Sequence, residues 1–291
     1  MNIKSEKING IIEAIPHINN LIGKIIVIKY GGNALTNENK KNEFIKDIIF
    51  LKKLGSHPVL IHGGGPDINN MLKKLNKDSI FLKGNRVTDD ETMEVVEMIL
   101  SGKVNKNLVS LINKYGGNSI GISGKDSNLI LAEKKYIIEN NEKIDIGNVG
   151  EILEINPKIL YTLIKENYIP VISSIGIDKD GNTYNINADY AASSIASKLK
   201  AHKFVFITNA PGIMMDMDNI DSKIDSLSYN EAKDLIKDKI ITDGMIPKVE
   251  ACLSSLENGA EQVHIIDGNL NHSLLIELFT NLNTGTKILK N

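Results

Sequence analysis

Short apolar strands that end directly in glycine loops recur along this 291-residue chain. The first covers residues 25–28, a β-branched run that predicts a buried parallel strand. Lys29 follows at its carboxyl end, and Gly31 and Gly32 come next. Segments with helical spacing of apolar residues separate the strands. The chain therefore predicts an α/β fold: a three-layer αβα sandwich around an open, mainly parallel sheet.

Two of these loops have the composition of anion sites. Residues 58–61 predict a second buried strand, which is followed by His62, three glycines and Pro66. Proline is favoured as the first helical residue, so the loop is expected to aim backbone N–H groups and a helix dipole at one point. A lysine beside open N–H groups, as at position 29, suits a transferring phosphoryl group. A surface lysine followed by a plain turn is the alternative.

Other polar residues stand at strand ends and helix starts. Arg86, in a glycine-containing loop, is a candidate clamp for a carboxylate because a guanidinium binds it bidentately. Asn185, Asn187 and Asp189 alternate along one face of an extended segment and predict a polar binding wall, with simple N-capping as the alternative. Lys248 stands at the start of a helix after a glycine loop. Its positive charge there opposes the helix dipole, which lowers stability unless an anion is close.

Composition and motif searches exclude several classes of protein. The formal net charge of −2 gives no basic field for nucleic acid, and no apolar run has the length of a membrane span. The P-loop pattern and the dinucleotide fingerprint are both missing, and no nucleophile elbow accompanies the His-Gly-Gly-Gly loop as esterases require. One cysteine and six histidines without ligand spacing predict no metal site.

The same features suggest a compartment. Cys252 is the single cysteine, which rules out an internal disulfide and fits a reducing environment. Residues 1–7 lack the apolar core of a signal peptide and the arginine-rich character of a transit peptide. A cytoplasmic location is therefore expected, or a plastid stroma if an organelle genome encodes the chain.

Five motifs together resemble the N-acetylglutamate kinase family, a branch of the amino acid kinases, and the resemblance extends over residues 8–289. The motifs occur in the family's order: Ile-Lys-Tyr-Gly-Gly (28–32), His-Gly-Gly-Gly-Pro (62–66), Gly-Asn-Arg-Val-Thr (84–88), Asn-Ile-Asn-Ala-Asp (185–189) and Ile-Thr-Asp-Gly-Met-Ile-Pro-Lys (241–248).

The resemblance implies the amino acid kinase fold and transfer of the ATP γ-phosphoryl group to the side-chain carboxylate of N-acetyl-L-glutamate, with Mg²⁺ accompanying ATP. Lys29 and Lys248 would stabilise the transferring group, and Asp189 would orient both lysines. The implied substrate-binding residues are Gly32, Gly64, Gly65, Arg86, Asn185 and Asn187. The implied nucleotide-binding residues are Thr208, Asn209, Gly212, Ile213, Met214, Ile241 and Thr242.

The N-terminal segment resembles that of arginine-inhibited family members, which interlace such helices into hexamers built as trimers of dimers. Residues 8–21 have helical apolar spacing, and Pro16 predicts a kink. Packing of this helix on its own core is the alternative. The residues that resemble the family's arginine site are His17, Lys203, His264, Glu277, Gly285 and Thr286. His17 replaces a tyrosine of the family pattern, and Asn209 replaces a common aspartate.

The expected domain organisation follows from the same comparison. Residues 1–23 would form the kinked helix for oligomerisation and arginine regulation, and residues 24–291 the kinase domain. Within it, residues 24–183 would bind acetylglutamate and residues 184–291 would bind ATP. A signalling protein of the PII type is a further possible partner.

Two other functions remain open at this stage. One is another carboxylate or carbamate kinase of the same family, although Arg86 and the Asn-Ile-Asn-Ala-Asp motif favour an acetylated amino acid. The second is a non-catalytic arginine sensor. Retention of Lys29, Asp189 and Lys248 argues against loss of catalysis.

Overall fold

A computed structural model describes residues 3–31, 37–216 and 219–290, without the side chains of residues 3–7 and 243. Its strands are β1 (Ile25–Tyr30), β2 (His57–His62), β3 (Phe81–Leu82), β4 (Asn85–Arg86), β5 (Ser119–Ser123), β6 (Ile130–Glu139), β7 (Glu142–Ile155), β8 (Ile169–Ser173), β9 (Ile175–Ile177), β10 (Thr183–Asn185), β11 (Lys203–Thr208), β12 (Ser226–Ser228), β13 (Gln262–Asp267) and β14 (Gly285–Leu289). Its α-helices are α1 (Ile3–Leu21), α2 (Glu38–Lys53), α3 (Gly65–Lys74), α4 (Asp90–Glu97), α5 (Asn105–Lys114), α6 (Lys158–Lys165), α7 (Ala188–Lys198), α8 (Tyr229–Lys237), α9 (Ile246–Glu257) and α10 (Ser273–Phe279).

The central sheet has eight strands in the order β12-β14-β13-β11-β1-β2-β8-β5. Every neighbouring pair is parallel except β13 and β14, which are antiparallel. This confirms the mainly parallel α/β sheet expected from the sequence. Strand β1 lies near the middle, between β2 and β11, so the lysine at its carboxyl end is placed over the centre of the sheet.

Alternate residues of β1 enter the two apolar layers that cover the sheet. Ile26 and Ile28 pack with helices α2, α3, α5 and α10, whereas Val27 packs with α6, α7 and α9 on the opposite face. The side-chain period of two in a strand buried on both faces explains why this run is apolar throughout. Helices therefore cover both faces, as the three-layer prediction requires.

A second, smaller sheet was not predicted from the sequence. Strands β6, β7, β9 and β10 close into a small barrel beside the main sheet. The sequence of residues 129–149 predicts a hairpin with turn residues at 140–141 and at 145–147. The first turn is confirmed, with Asn140 and Asn141 both at positive φ. The turn expected at residues 145–147 is wrong, because these residues lie inside β7. There Gly147, at φ 78°, forms a bridge to Thr88, and a Cβ at this position would collide with the Thr88 carbonyl.

Helix α1 runs as one α-helix from Ile3 to Leu21 with Pro16 inside it. Its apolar residues divide between two environments. Ile18 and Leu21 pack against the core of the same chain, and α1 packs along α10. A second set of isoleucines on α1 is exposed: Ile8, Ile11, Ile12 and Ile15. The C-terminal end of α1 therefore packs on the core of its own chain, while the four exposed isoleucines form an apolar stripe without a partner in the described structure.

The sequence of residues 91–115 predicts one long helical region. Within it, between α4 and α5, the chain forms a π-helical segment, Met98–Val104. The segment lies against the glycine loop after β2. A Cβ at Gly64 would stand 2.7 Å from Leu100 Cδ2 and 3.2 Å from Val104 Cγ2. Gly64 is thus required for the close approach of this helix to the loop. No helix within the described residues is long and apolar enough to cross a membrane.

Candidate functional site

Three charged side chains from distant parts of the chain meet above the centre of the sheet. Lys29, in β1, places its Nζ 2.8 Å from Asp189 Oδ1. Lys248, in the first turn of α9, places its Nζ 3.2 Å from Asp189 Oδ2. Asp189 itself lies in the first turn of α7. The structure therefore brings together the three residues that were predicted to act on the phosphoryl group.

The environment of this cluster keeps its charges in place. Asp189 is 9% exposed and Lys29 is 7% exposed. Burial alone would raise the pKa of Asp189, but the positive charges of Lys29 and Lys248 outweigh that effect and lower the pKa below its ordinary value. Phe206 lies below both ammonium groups, with its ring centroid 4.8 Å from Lys29 Nζ and 5.6 Å from Lys248 Nζ. The ring face stabilises two neighbouring cations without neutralising them.

Gly31 is required for the position of the Lys29 side chain. A Cβ added at Gly31 would collide with Lys29 Nζ and would lie 2.9 Å from Lys29 Cε. The lysine side chain therefore folds over a residue that must lack a side chain. Gly32, which was predicted to bind substrate, lies outside the described residues.

The glycine loop after β2 is fixed by a buried histidine. His62 Nδ1 lies 2.9 Å from the carbonyl oxygen of Gly63, and His62 Nε2 lies 3.1 Å from Asn105 Nδ2. Burial lowers the pKa of His62 to about 4, so the imidazole is neutral at pH 7. A neutral ring can donate from Nδ1 and accept at Nε2, which satisfies both contacts.

Arg86 lies in a two-stranded hairpin, β3–β4, where the sequence predicted a loop. Its Nη1 donates to Ser79 Oγ at 2.8 Å and its Nη2 donates to Asn69 Oδ1 at 2.6 Å. The guanidinium carbon stands 4.7 Å from the centroid of the Phe81 ring. These contacts hold a largely buried guanidinium in one orientation.

An open cleft connects the glycine loop, the β3–β4 hairpin and the start of α7. Its lining includes five of the six residues predicted to bind substrate, together with Asp189. Those five are Gly64, Gly65, Arg86, Asn185 and Asn187.

The two asparagines of the polar wall have structural contacts as well as places in the cleft. Asn187 Oδ1 accepts from the Asp189 backbone N–H at 2.8 Å, so Asn187 is the N-cap of α7, and the capping interpretation is confirmed for it. Asn185 Nδ2 donates to Thr88 Oγ1 at 3.2 Å. Capping by Asn187 orients the first turn of α7 and hence Asp189.

The predicted nucleotide-binding residues form two groups in the C-terminal part of the chain. Thr208, at the end of β11, accepts from the Ala210 N–H at 2.9 Å, and Gly212 adopts φ 134° in the following loop. Ile213 and Ile241 are buried in the same apolar cluster. Asn209, Met214 and Thr242 lie in the segments that flank these residues. Ile241 and Thr242 precede α9, which carries Lys248 in its first turn.

Three of the predicted arginine-site residues form one polar chain, in which His264 and Glu277 are buried and Lys203 is half-buried. Lys203 Nζ lies 3.2 Å from His264 Nε2, and His264 Nδ1 lies 2.7 Å from Glu277 Oε1. Burial lowers the pKa of His264 to about 4, so the neutral ring accepts from Lys203 and donates to Glu277. Gly285 is packed tightly against the backbone of Ile265.

The other two arginine-site candidates are placed differently. Thr286 pairs with Ile265 in the sheet and points away from the face of His264. Its hydroxyl donates to the Ile224 carbonyl at 2.6 Å and accepts from the Ile213 N–H at 2.8 Å. The Thr286 side chain is therefore tied to the loop after β11. His17 is half-buried on α1, the helix that packs along α10, which carries Glu277.

Four residues of the site were not predicted from the sequence. They are Asn69, Ser79, Asn105 and Phe206. These residues contact their partners only in the folded chain, and none is in a glycine loop or is a charged residue at the end of a strand. Within the described ranges, no group of three or more His, Cys, Asp or Glu side chains could hold a metal ion.

Comparison with known proteins agrees with this geometry. Residues 24–267 match the amino acid kinase family. The chain is 50% identical over 283 residues to the acetylglutamate kinase of Caldicellulosiruptor bescii, covering 97% of this chain and 96% of that protein. It is 49% identical over 296 residues to the acetylglutamate kinase of Leptospira biflexa, covering 99% of each.

Solved structures show the same fold. The N-acetylglutamate synthase of Neisseria gonorrhoeae, complexed with coenzyme A and N-acetyl-glutamate, superposes with a TM-score of 0.84 at 25% identity. The match covers 98% of this chain but only 63% of that protein. The carbamate kinase of Giardia gives a TM-score of 0.69 at 19% identity, covering 92% of this chain and 99% of the other, which supports the fold alone. Together, the family match and the full-length relatives show that the chain belongs to the amino acid kinase family.

Proposed function

We propose that this protein catalyses ATP-dependent phosphorylation of the side-chain carboxylate of N-acetyl-L-glutamate, a step of arginine biosynthesis. The observation that carries the proposal is the bridge from Asp189 to both Lys29 and Lys248 beside a cleft that contains Arg86. The full-length relatives named acetylglutamate kinase support the choice of substrate.

In the proposed reaction, a carboxylate oxygen of the substrate attacks the γ-phosphorus of ATP. A new O–P bond forms, the bond between the γ-phosphorus and the bridging oxygen breaks, and ADP leaves with the electron pair. A carboxylate is already ionised at neutral pH, so no general base is needed. The two ammonium groups neutralise charge on the transferring group, and catalysis comes from this neutralisation and from positioning.

The cleft supplies the positioning. Arg86 would bind the α-carboxylate of acetylglutamate through its planar donors. Asn185 would hydrogen-bond the substrate, and the N–H groups of the loop at Gly64 and Gly65 would face developing negative charge. ATP would occupy the side formed by residues 208–214 and 241–242, and Mg²⁺ would enter coordinated to its phosphates.

We extend the proposal to regulation and assembly. L-arginine would inhibit the enzyme by binding near Lys203, His264 and Glu277, where α1 packs along α10. The exposed isoleucines of α1 would pair with the same helix of another subunit and give a hexamer, since an unpartnered apolar stripe favours association. The molar mass from light scattering would drop for Ile12→Asp if this helix mediates assembly, and an unchanged mass would refute that role. A reducing, cytoplasm-like compartment is part of the same proposal.

The deciding assay measures ADP formation with N-acetyl-L-glutamate, with carbamate and without acceptor, each with and without L-arginine. Turnover of acetylglutamate that L-arginine suppresses is the expected result. Turnover that is insensitive to L-arginine would support the kinase activity but refute the proposed inhibition by L-arginine. No turnover of acetylglutamate would refute the proposal, and turnover of carbamate alone would assign the chain to that other activity.

A further inference from the structure

The guanidinium of Arg86 is held entirely by uncharged groups. It is 7% exposed, and its hydrogen bonds go to the side chains of Asn69 and Ser79. No Asp or Glu of the described ranges pairs with it, and the lowered pKa of Arg86 reflects burial alone. Buried arginines are usually paired with carboxylates, because an uncompensated buried charge is costly. An unpaired one that lines a cleft is ready for an anion from outside the chain.

Asn69 is the centre of this neutral support. Its Oδ1 accepts from Arg86 Nη2 at 2.6 Å and from Ser79 Oγ at 3.0 Å. Ser79 Oγ in turn accepts from Arg86 Nη1 at 2.8 Å. The three side chains therefore form a closed triangle of hydrogen bonds that fixes the plane of the guanidinium. Asn69 lies on α3, the helix that begins in the glycine loop, so the triangle also ties the β3–β4 hairpin to that loop.

An aspartate at position 69 would have almost the same shape and would keep both hydrogen bonds. It would also place a negative charge against Arg86, and Arg–carboxylate pairs are among the strongest polar contacts in proteins. The substrate carboxylate would then compete with a permanent internal partner. The chemistry of the site thus requires an acceptor without charge at this position.

We propose that Asn69 is a positioning residue that orients Arg86 and, because it is neutral, keeps the full charge of the guanidinium for the α-carboxylate of the substrate. The inference rests on the proposed binding of acetylglutamate in the cleft. Asn69 itself is exposed on the outside of α3, so substitutions there leave the core intact.

The test compares steady-state kinetics of Asn69→Asp with the wild type. The KM for N-acetyl-L-glutamate is expected to rise at least about tenfold, because one charge-assisted contact with the substrate is lost. The kcat and the KM for ATP should stay within about threefold of the wild-type values. Asn70→Asp is the matched control, because it adds the same charge at the next residue of α3 and Asn70 makes no contact with Arg86 in the described structure. Its KM is expected to match that of the wild type.

A second probe separates orientation of Arg86 from general damage to the cleft. 4-Acetamidobutanoate has the acetamido group and the reacting carboxylate of the substrate but lacks the α-carboxylate. As a competitive inhibitor it should bind equally well to the wild type and to Asn69→Asp. Equal weakening of inhibitor and substrate would overturn the inference, and so would an unchanged KM in Asn69→Asp. Absence of acetylglutamate turnover in the wild type would instead refute the proposed function.

Discussion

The carboxylate of Asp189 uses one oxygen for each of two lysines, with Lys29 Nζ at 2.8 Å and Lys248 Nζ at 3.2 Å. The three groups carry a net positive charge in a site where Asp189 and Lys29 are almost fully buried. The lysines belong to β1 and α9, so Asp189 at the start of α7 is the link that sets their separation.

Removal of either ammonium group should lower turnover strongly. Lys29→Ala and Lys248→Ala are each expected to lower kcat by about 10²–10³, since one preorganised electrostatic donor contributes about 2.7–4 kcal/mol to catalysis. Initial rates of ADP formation at saturating substrates would measure the loss.

The control for these variants is Lys165→Ala, at the exposed end of α6, which should retain wild-type turnover. Circular dichroism would show whether each variant is folded. Near-normal kcat in both active-site variants would remove the roles assigned to the lysines.

Gly31→Ala should damage catalysis while leaving the fold intact. The added Cβ would meet the ammonium end of Lys29, which can swing aside at little structural cost but would then leave Asp189. We expect kcat to fall about 10- to 100-fold with little change in Tm, as for a misplaced catalytic group. Gly10→Ala, where a Cβ would meet nothing within 4 Å, is the control. Equal kcat values for the two variants would show that the position of Lys29 does not depend on Gly31.

Phe206→Leu tests the aromatic support beneath the lysines. The substitution keeps an apolar side chain in the core but removes the ring face that lies 4.8 Å from Lys29 Nζ and 5.6 Å from Lys248 Nζ. A buried cation–π contact contributes about 1–2 kcal/mol, so kcat should fall about 5- to 30-fold. Phe204→Leu, two residues earlier in β11, is the control because it makes the same change in side-chain volume. It should lower stability more than it lowers kcat. A parallel loss of kcat in both variants would attribute the effect to packing.

A buried acid between α2 and α10 should make stability depend on pH. Asp47 is 2% exposed and forms a 2.6 Å contact with His272 Nδ1, while Glu43 contacts His272 Nε2 at 2.8 Å and Lys46 Nζ at 2.9 Å. Burial raises the pKa of Asp47 from 3.8 to about 6, and the hydrogen bond to Asp47 raises the pKa of His272. Both groups bind more protons in the folded state than in the unfolded state. Stability therefore falls as pH rises from about 4 through 6, and it stops falling once the pH has passed the raised pKa of His272.

Asp47→Asn removes this dependence. Relative to the wild type, the variant should gain about 1–3 kcal/mol of unfolding free energy between pH 5 and pH 8, as measured by urea unfolding at the two pH values. The exposed carboxylate of Asp78 offers the control Asp78→Asn, for which no such gain is expected. A pH-independent difference between Asp47→Asn and the wild type would contradict the assigned pKa of Asp47.

The local parts of the site follow from the sequence, and the long-range parts do not. A β-branched run, a lysine and adjacent glycines specify the strand end near Lys29 through backbone geometry. The small barrel could not be predicted because it depends on the pairing of β7 with β10, which are far apart in the sequence. The residues around Gly147 resemble a turn in the sequence, but in the structure they form an irregularity within β7. The neutral support of Arg86 by Asn69 depends on a helix and a hairpin that meet only in the folded chain.

The role of Asp189 is tested by the single-turnover rate of phosphoryl transfer from ATP to N-acetyl-L-glutamate in Asp189→Asn, at enzyme and substrate concentrations that saturate binding. Without the carboxylate, the two ammonium groups repel each other and lose their common anchor. We expect a rate at least about 10²-fold below that of the wild type, with the variant folded. A rate within about threefold of the wild type would contradict the claim that Asp189 positions Lys29 and Lys248 for the transfer.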